Sequence, residues 1–134
     1  MSFRTFTYPV RILEHHLDAY GHVNNVAYIG FFEQARWDMV TAQGCGLDYV
    51  ANSGVGPVVL ELNCKFRREL RLRQDVVIHS TLESWRGKVG IMSQNIKDQA
   101  NQICCEAQVT FGLFDLKLRK LVAPNEQWRA ALGL

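Results

Sequence analysis

From about Asn24 to Gln43 the chain carries a helical pattern that is apolar on two sides. At about 100° per residue, Tyr28, Phe31, Phe32, Ala35, Met39 and Ala42 share one broad face. Val26, Gly30, Trp37 and Val40 share the opposite one, and only Gln34, Asp38 and Thr41 form a plainly polar strip. A helix of this kind is buried between two surfaces rather than laid upon one. Gly44 and Gly46 end it. Ahead of it, Phe6 to Leu13 reads as a short strand, and Pro9, which has no N–H to give a ladder, puts that strand at an edge. Behind it comes a Gly/Asn/Ser loop from Ala51 to Pro57. Four segments with strand patterning follow: Val58 to Phe66, Val77 to Trp85, Val89 to Lys97 and Ile103 to Leu116. Pro124-Asn125-Glu126 opens a short C-terminal helix carrying Trp128 and Leu132. Strand, long helix and four strands predict an α+β architecture, an antiparallel five-stranded sheet wrapped around one long central helix. One helix face then packs on the sheet, and the other needs a second surface, most simply a partner subunit.

The residues at the start of that helix point to chemistry. Leu17-Asp18-Ala19-Tyr20-Gly21-His22-Val23-Asn24-Asn25 places a carboxylate three residues before a glycine turn and two asparagines just before the apolar run. Asn24 or Asn25 serves as the N-cap, its side chain accepting from a free N–H of the first turn. The unpaired amides and partial positive charge of a helix N-terminus can hold a carbonyl oxygen as it becomes an oxyanion. A carboxylate beside such a cradle is equipped to attack or hydrate a carbonyl.

Composition narrows the classes. A chain of 134 residues, 48% hydrophobic, is one domain over residues 1–134. At this size it buries roughly 68% of its unfolded surface without disulfide or metal. A net charge of +2, with no basic stripe interleaved with aromatics, argues against nucleic-acid binding. No window approaches the ~20 apolar residues of a membrane helix. The start, Met1-Ser2-Phe3-Arg4-Thr5-Phe6, lacks the apolar run of a signal peptide, so a cytoplasmic protein is expected. Cys45, Cys64, Cys104 and Cys105 include no C-x-x-C pair and read as core or sheet residues; adjacent Cys104 and Cys105 would face opposite sides of a strand. Ser53, Ser80 and Ser93 lack a nucleophile-elbow context. Gly54-Val55-Gly56 runs into Pro57 and a strand, which is not a dinucleotide loop.

The segment Asp18-Ala-Tyr-Gly-His-Val-Asn-Asn-Val-Ala-Tyr28, with Glu33-Gln34-Ala35-Arg36-Trp37-Asp38 and Gly87-Lys88-Val89-Gly90-Ile91-Met92-Ser93-Gln94, resembles the hotdog-fold acyl-CoA thioesterases of the 4-hydroxybenzoyl-CoA thioesterase type. Within that type it is most similar to the bacterial long-chain acyl-CoA thioesterase III group. The resemblance implies homodimers whose sheets join edge to edge, often paired into tetramers, with sites between subunits and no metal or organic cofactor. It implies that Asp18 is the catalytic carboxylate, as nucleophile or as base for water, and that a backbone N–H around Asn25 polarises the thioester carbonyl. The benzoyl-type branch carries an aromatic where this chain has Asn25, so an aryl-lined pocket is not expected. It also implies that Trp85-Arg86-Gly87-Lys88 lies near the coenzyme A phosphates, with glycine here replacing one of three consecutive basic residues.

Each candidate has a competing structural reading. Asp18 could be a turn aspartate, although the Asn pair can supply the helix cap and leave its carboxylate free. Glu33 shares a face with Val26, Gly30, Trp37 and Val40, where desolvation would raise its pKa; otherwise it pairs with Arg36. His22 either donates to the thioester oxygen or holds the turn, and His15, His16 and His79 are ordinary surface or strand residues. Tyr28 reads as core or pocket. Arg86 and Lys88 are phosphate ligands or solvated loop charges. The acyl pocket is expected to be apolar and lined by Tyr28, Phe31, Phe32, Trp37, Val58 and Val59, which favours medium to long acyl chains. The reading is hydrolysis of acyl-CoA to free acid and coenzyme A, with Asp18 ahead of Glu33 as the essential carboxylate. Two alternatives stay open: a hydratase or dehydratase using a His22–carboxylate pair on enoyl or 3-hydroxyacyl thioesters, and a non-catalytic acyl-CoA-binding protein.

Overall fold

The computed structural model describes residues 3–134. Strand β1 (Thr5–Arg11) leads through a single 3-10 turn at Glu14–His16 into α1 (Asn25–Ala42). A second helix, α2 (Leu47–Ser53), precedes the long strands β2 (Val55–Phe66), β3 (Asp75–Arg86), β4 (Val89–Lys97) and β5 (Ile103–Asp115). A short β6 (Lys120–Val122) and α3 (Glu126–Leu132) close the chain. The strands pair antiparallel in the order β1-β3-β4-β5-β2, and β6 pairs with the end of β5. This is the expected α+β layout, with β1 and its Pro9 at one edge and β2 at the other.

Two elements differ from the sequence expectation. The Asn52-Ser53-Gly54 stretch ends α2 rather than forming a loop, with Gly54 as its left-handed C-cap (φ 74°). The sheet has six strands instead of five, because Leu121 and Val122 add a three-residue strand on β5. Helix α1 is the only long helix among the described residues, at 18 residues, and the other two helices have seven each.

The apolar faces of α1 are treated unequally. Tyr28, Phe31, Phe32, Ala35, Met39 and Val40 are buried. Val40 was expected on the opposite face, but Trp128 and Leu132 of α3 join the core around it. Ala42 is exposed instead. Val26, at 69% exposure, and Ile29 stand open, so within one chain this side of the helix has no covering surface. Strand alternation explains the other half of the core: in β3 and β4 every second residue, Val76, Ile78, Ser80 and Leu82 with Met92, Gln94 and Ile96, is buried against α1.

Gln94 is the polar exception in that row. Its Nε2 donates to the Phe32 carbonyl (3.1 Å) and to Ser80 Oγ (2.9 Å), and its Oε1 accepts from Arg36 Nη1 (2.9 Å). A fully buried amide with these groups satisfied costs little. Cys104 and Cys105 are both buried in one core cluster; the β4–β5 register shifts at Cys104, which has no partner on β4, and its thiol lies 3.8 Å from Asp98 Oδ2. Cys105 Sγ is 3.5 Å from Cys64 Sγ on β2, and all four cysteines are free thiols. Replacing Gln94 with leucine leaves the Arg36 guanidinium and Ser80 hydroxyl without this partner. We expect Gln94→Leu to lower unfolding free energy by about 1–3 kcal/mol, read from urea denaturation midpoints.

Candidate active site

The turn that carries Asp18 is closed by its own backbone. Asp18 N–H donates to the His22 carbonyl (2.8 Å), Asn24 N–H to the His16 carbonyl (2.8 Å), and Leu17 bridges Val23. Gly21 takes φ 77°, a left-handed conformation that a Cβ would strain. Asp18 itself is half-buried and half-committed. Its Oδ1 accepts from Tyr20 N–H (2.8 Å) and His22 N–H (3.2 Å), while its Oδ2 has no hydrogen-bond partner among the described residues. The turn reading and the functional reading therefore divide the two oxygens: one fixes the carboxylate, the other faces outward with its lone pairs free.

The helix start leaves one donor unspent. Asn24 is the N-cap: its Oδ1 accepts from Val26 N–H (2.8 Å), and its carbonyl accepts from Ala27 (2.9 Å) and Tyr28 (3.4 Å). Asn25 N–H has no acceptor among the described residues. Asp18, His22, Asn25 and Tyr28 line one hollow of about 440 Å³, closed on the far side by Phe66, Arg67, Arg68 and Glu69. Tyr28 packs edge-on to Phe66 (5.3 Å between ring centroids). Burial pushes its phenol up to about 12, so at neutral pH it is a donor and not a base.

The other candidates stand elsewhere. Glu33, Trp37, Val58 and Val59 line a second, more apolar hollow of about 330 Å³ with Met92, Phe111 and Leu132. Val59 and Phe66 lie about 23 Å apart along β2, which runs beside both hollows. Within one chain the two candidate carboxylates therefore do not share a cavity. Glu33 is exposed, so the desolvation expected for it is absent in the isolated chain. Phe32 is fully enclosed in the core, and Phe31 is buried there too. His22 Nε2 pairs with Glu69 Oε2 (3.1 Å) and not with Asp18 or Glu33, so a single chain does not form the dyad a hydratase would need. Arg86 and Lys88 flank the left-handed Gly87 (φ 63°) at the β3–β4 turn. Among the described residues no three His, Cys, Asp or Glu side chains converge as a metal site, and no helix is long and apolar enough to cross a membrane.

Sequence reasoning passed over the residues on the far wall. Arg67, Arg68 and Glu69 sit between β2 and β3, where a local reading sees only solvated charge; their nearness to Asp18 comes from sheet topology. It also undervalued His16. That ring packs edge-on to Phe31 (4.7 Å), and its Nδ1 accepts from Leu13 N–H (2.9 Å).

A curled antiparallel sheet against one long helix, with a carboxylate turn at the helix start, is the hotdog fold, and comparison with known proteins agrees. The model of the thioesterase-like superfamily matches residues 12–132. The long-chain acyl-CoA thioesterase FadM of Escherichia coli (strain K12) is 34% identical over 124 residues, spanning 92% of this chain and 93% of FadM. The acyl-CoA thioester hydrolase YbgC of Escherichia coli O157:H7 is 27% identical over 126 residues, spanning 93% of this chain and 94% of YbgC. Among solved structures, the Escherichia coli YbaW probable thioesterase has 32% identity and a TM-score of 0.80, covering 96% of each chain. A Staphylococcus aureus protein, SAV2348, solved in complex with CoA, has a TM-score of 0.89 at 15% identity, covering 98% of this chain and 83% of that one; it shares the fold. The chain belongs to the thioesterase-like superfamily and is an enzyme of that class.

One pH dependence follows from His16. Burial, with a smaller contribution from His15, lowers its pKa below the ordinary 6.5. The unfolded chain then takes up this proton more readily than the folded one, so stability present above the ordinary value is lost as pH falls below it. His79, lowered by burial and Lys97, acts in the same direction. We expect unfolding free energy to fall between about pH 7 and about pH 5, and His16→Asn, which keeps an acceptor for Leu13 N–H, to flatten part of that slope.

Proposed function

We propose that this protein hydrolyses acyl-CoA thioesters to free acid and coenzyme A, acting on medium- to long-chain acyl groups in the cytoplasm as a single domain. The observation that carries the reading is the pairing, in one hollow, of a free Asp18 Oδ2 with the unspent N–H of Asn25 at the start of α1. Two routes are open to the Asp18 carboxylate. As a base it takes a proton from water while the oxygen attacks the thioester carbon; as a nucleophile it forms an acyl anhydride that water then opens. In either route the carbonyl oxygen gains charge and accepts from Asn25 N–H, aided by the helix dipole. Collapse of the adduct expels the thiolate, which takes its proton from the Asp18 acid in the base route and from solvent water in the nucleophilic one. The family match and the acyl-CoA activities named for FadM and YbgC support the substrate class.

The acyl tail is proposed to occupy the apolar hollow at Trp37, Val58 and Val59, with Glu33 orienting water or acting as the base from a second subunit. Two such hollows along one helix side fit a homodimer, or a homotetramer built from dimers. The free edge of β2, with exposed Leu60, Leu62 and Phe66, and the open side of α1 at Val26 and Ile29 supply its contact surface.

Thiol release from acyl-CoA of graded chain length tests the chemistry. Asp18→Asn should lower kcat by about 100-fold or more, and Glu33→Gln by less. Release by no chain length in the wild type sinks the hydrolase reading; a dead Glu33→Gln beside an active Asp18→Asn reverses the two roles. Light scattering at micromolar concentration should give twice or four times the chain mass, and Leu62→Lys should shift it toward the monomer.

A further inference from the structure

Four of the fifteen basic residues fall within Arg67–Arg73, a span with one acid, Glu69. Two of the four are spent: Arg67 Nη2 is 2.9 Å from Glu106 Oε1, and Arg73 Nη2 is 2.8 Å from Glu14. Arg71 Nε stands 3.9 Å from Glu69 Oε1, the limit of an ion pair, and that carboxylate also serves His22 through its other oxygen. Arg68 has no ion-pair partner among the described residues. It lines the Asp18 hollow and also an adjoining hollow of about 620 Å³, whose other walls are Glu69, Arg71, Gln74, Asp98 and Gln102.

The segment is stiff. Arg67 and Arg68 N–H both donate to the Cys104 carbonyl (2.9 Å each), Arg71 N–H donates to Gln74 Oε1 (2.9 Å), and Arg73 N–H to the Ile12 carbonyl (2.8 Å). Leu70 between them is fully buried. Two guanidinium groups are thus presented from an ordered backbone, with the fork geometry that phosphate oxygens match. The acids of the adjoining hollow have partners of their own: Asp98 Oδ1 accepts from Ala100 and Gln102 N–H, and Glu69 is held by His22. Arg86 and Lys88 cannot substitute within the chain. Arg86 ends β3 and Lys88 follows it, whereas Arg68 and Arg71 precede it, and its 12 residues span about 36 Å.

Resting on the thioesterase reading above, we propose that Arg68 and Arg71 seat a phosphate carried by the thiol half of the substrate, which lies along this adjoining hollow while its thioester reaches Asp18. The shared chemistry is a phosphorylated pantetheine arm, whether from coenzyme A or from phosphopantetheine alone. The test compares the Arg68→Ser/Arg71→Ser double variant with Arg86→Ser/Lys88→Ser on decanoyl-CoA, decanoyl-phosphopantetheine and decanoyl-pantetheine. The advantage in kcat/KM of decanoyl-CoA over the unphosphorylated ester should fall about tenfold in the first variant, through KM. A matching fall for decanoyl-phosphopantetheine assigns the seat to the phosphate next to the arm; a fall for decanoyl-CoA alone assigns it to the nucleotide end. An unchanged advantage, or one lost only in the hairpin variant, overturns the proposal. Calorimetric binding of coenzyme A against pantetheine runs beside it. If the wild type releases no thiol, the hydrolase reading fails, while weaker coenzyme A binding by the Arg68→Ser/Arg71→Ser variant still supports the seat and unchanged binding still overturns it.

Discussion

Gln94 fixes the position of α1 along its own axis. Apolar packing of Phe31, Phe32 and Ala35 on the sheet is strong but non-directional, so by itself it tolerates sliding. The Gln94 amide does not, because it grips a helix carbonyl, a helix arginine and a β3 hydroxyl together within hydrogen-bond distance. With α1 pinned, its first turn lies against the Asp18 loop and its body packs on β1 and β3. The positions of Asn25 and Glu33 follow from that register.

Two hollows of different character lie along the same helix. At its N-terminal end a polar hollow holds Asp18, His22 and Asn25; further along, an apolar hollow holds Trp37, Val58 and Val59. In Asp18 the two carboxylate oxygens are used differently. Its Oδ1 bonds fix the carboxylate plane, so Oδ2 is presented without an added entropy cost.

Patterns that repeat along the chain were legible in the sequence. Helix α1 ends within a residue of both expected limits, and β4 matches at both ends, because apolar periodicity and glycine stops are local signals. The edge placement of β1 followed from Pro9. Helix α2 was missed because Asn52, Ser53 and Gly54 are loop formers that here serve as a helix end, and β6 because three residues show no period. The burial of Val40 depends on α3, nearly ninety residues onward in the chain. The Gln94 contacts, the His22–Glu69 pair and the arginines beside Asp18 join elements that only topology brings together. The separation of Asp18 from Glu33 was equally invisible, since the spacing between a turn residue and a helix residue does not say which cavity each side chain enters.

The thiols of Cys64 and Cys105 join the edge strand β2 to its neighbour beneath the Tyr28–Phe66 pair. Burial raises the Cys105 pKa, with the neighbouring Cys64 adding to the shift, so the closed form holds a protonated and poorly nucleophilic thiol. Alkylation must then wait for β2 to lift from β5. The labelling rate of this one side chain becomes a clock for opening at the sheet edge, read against the whole chain's unfolding on the same time axis.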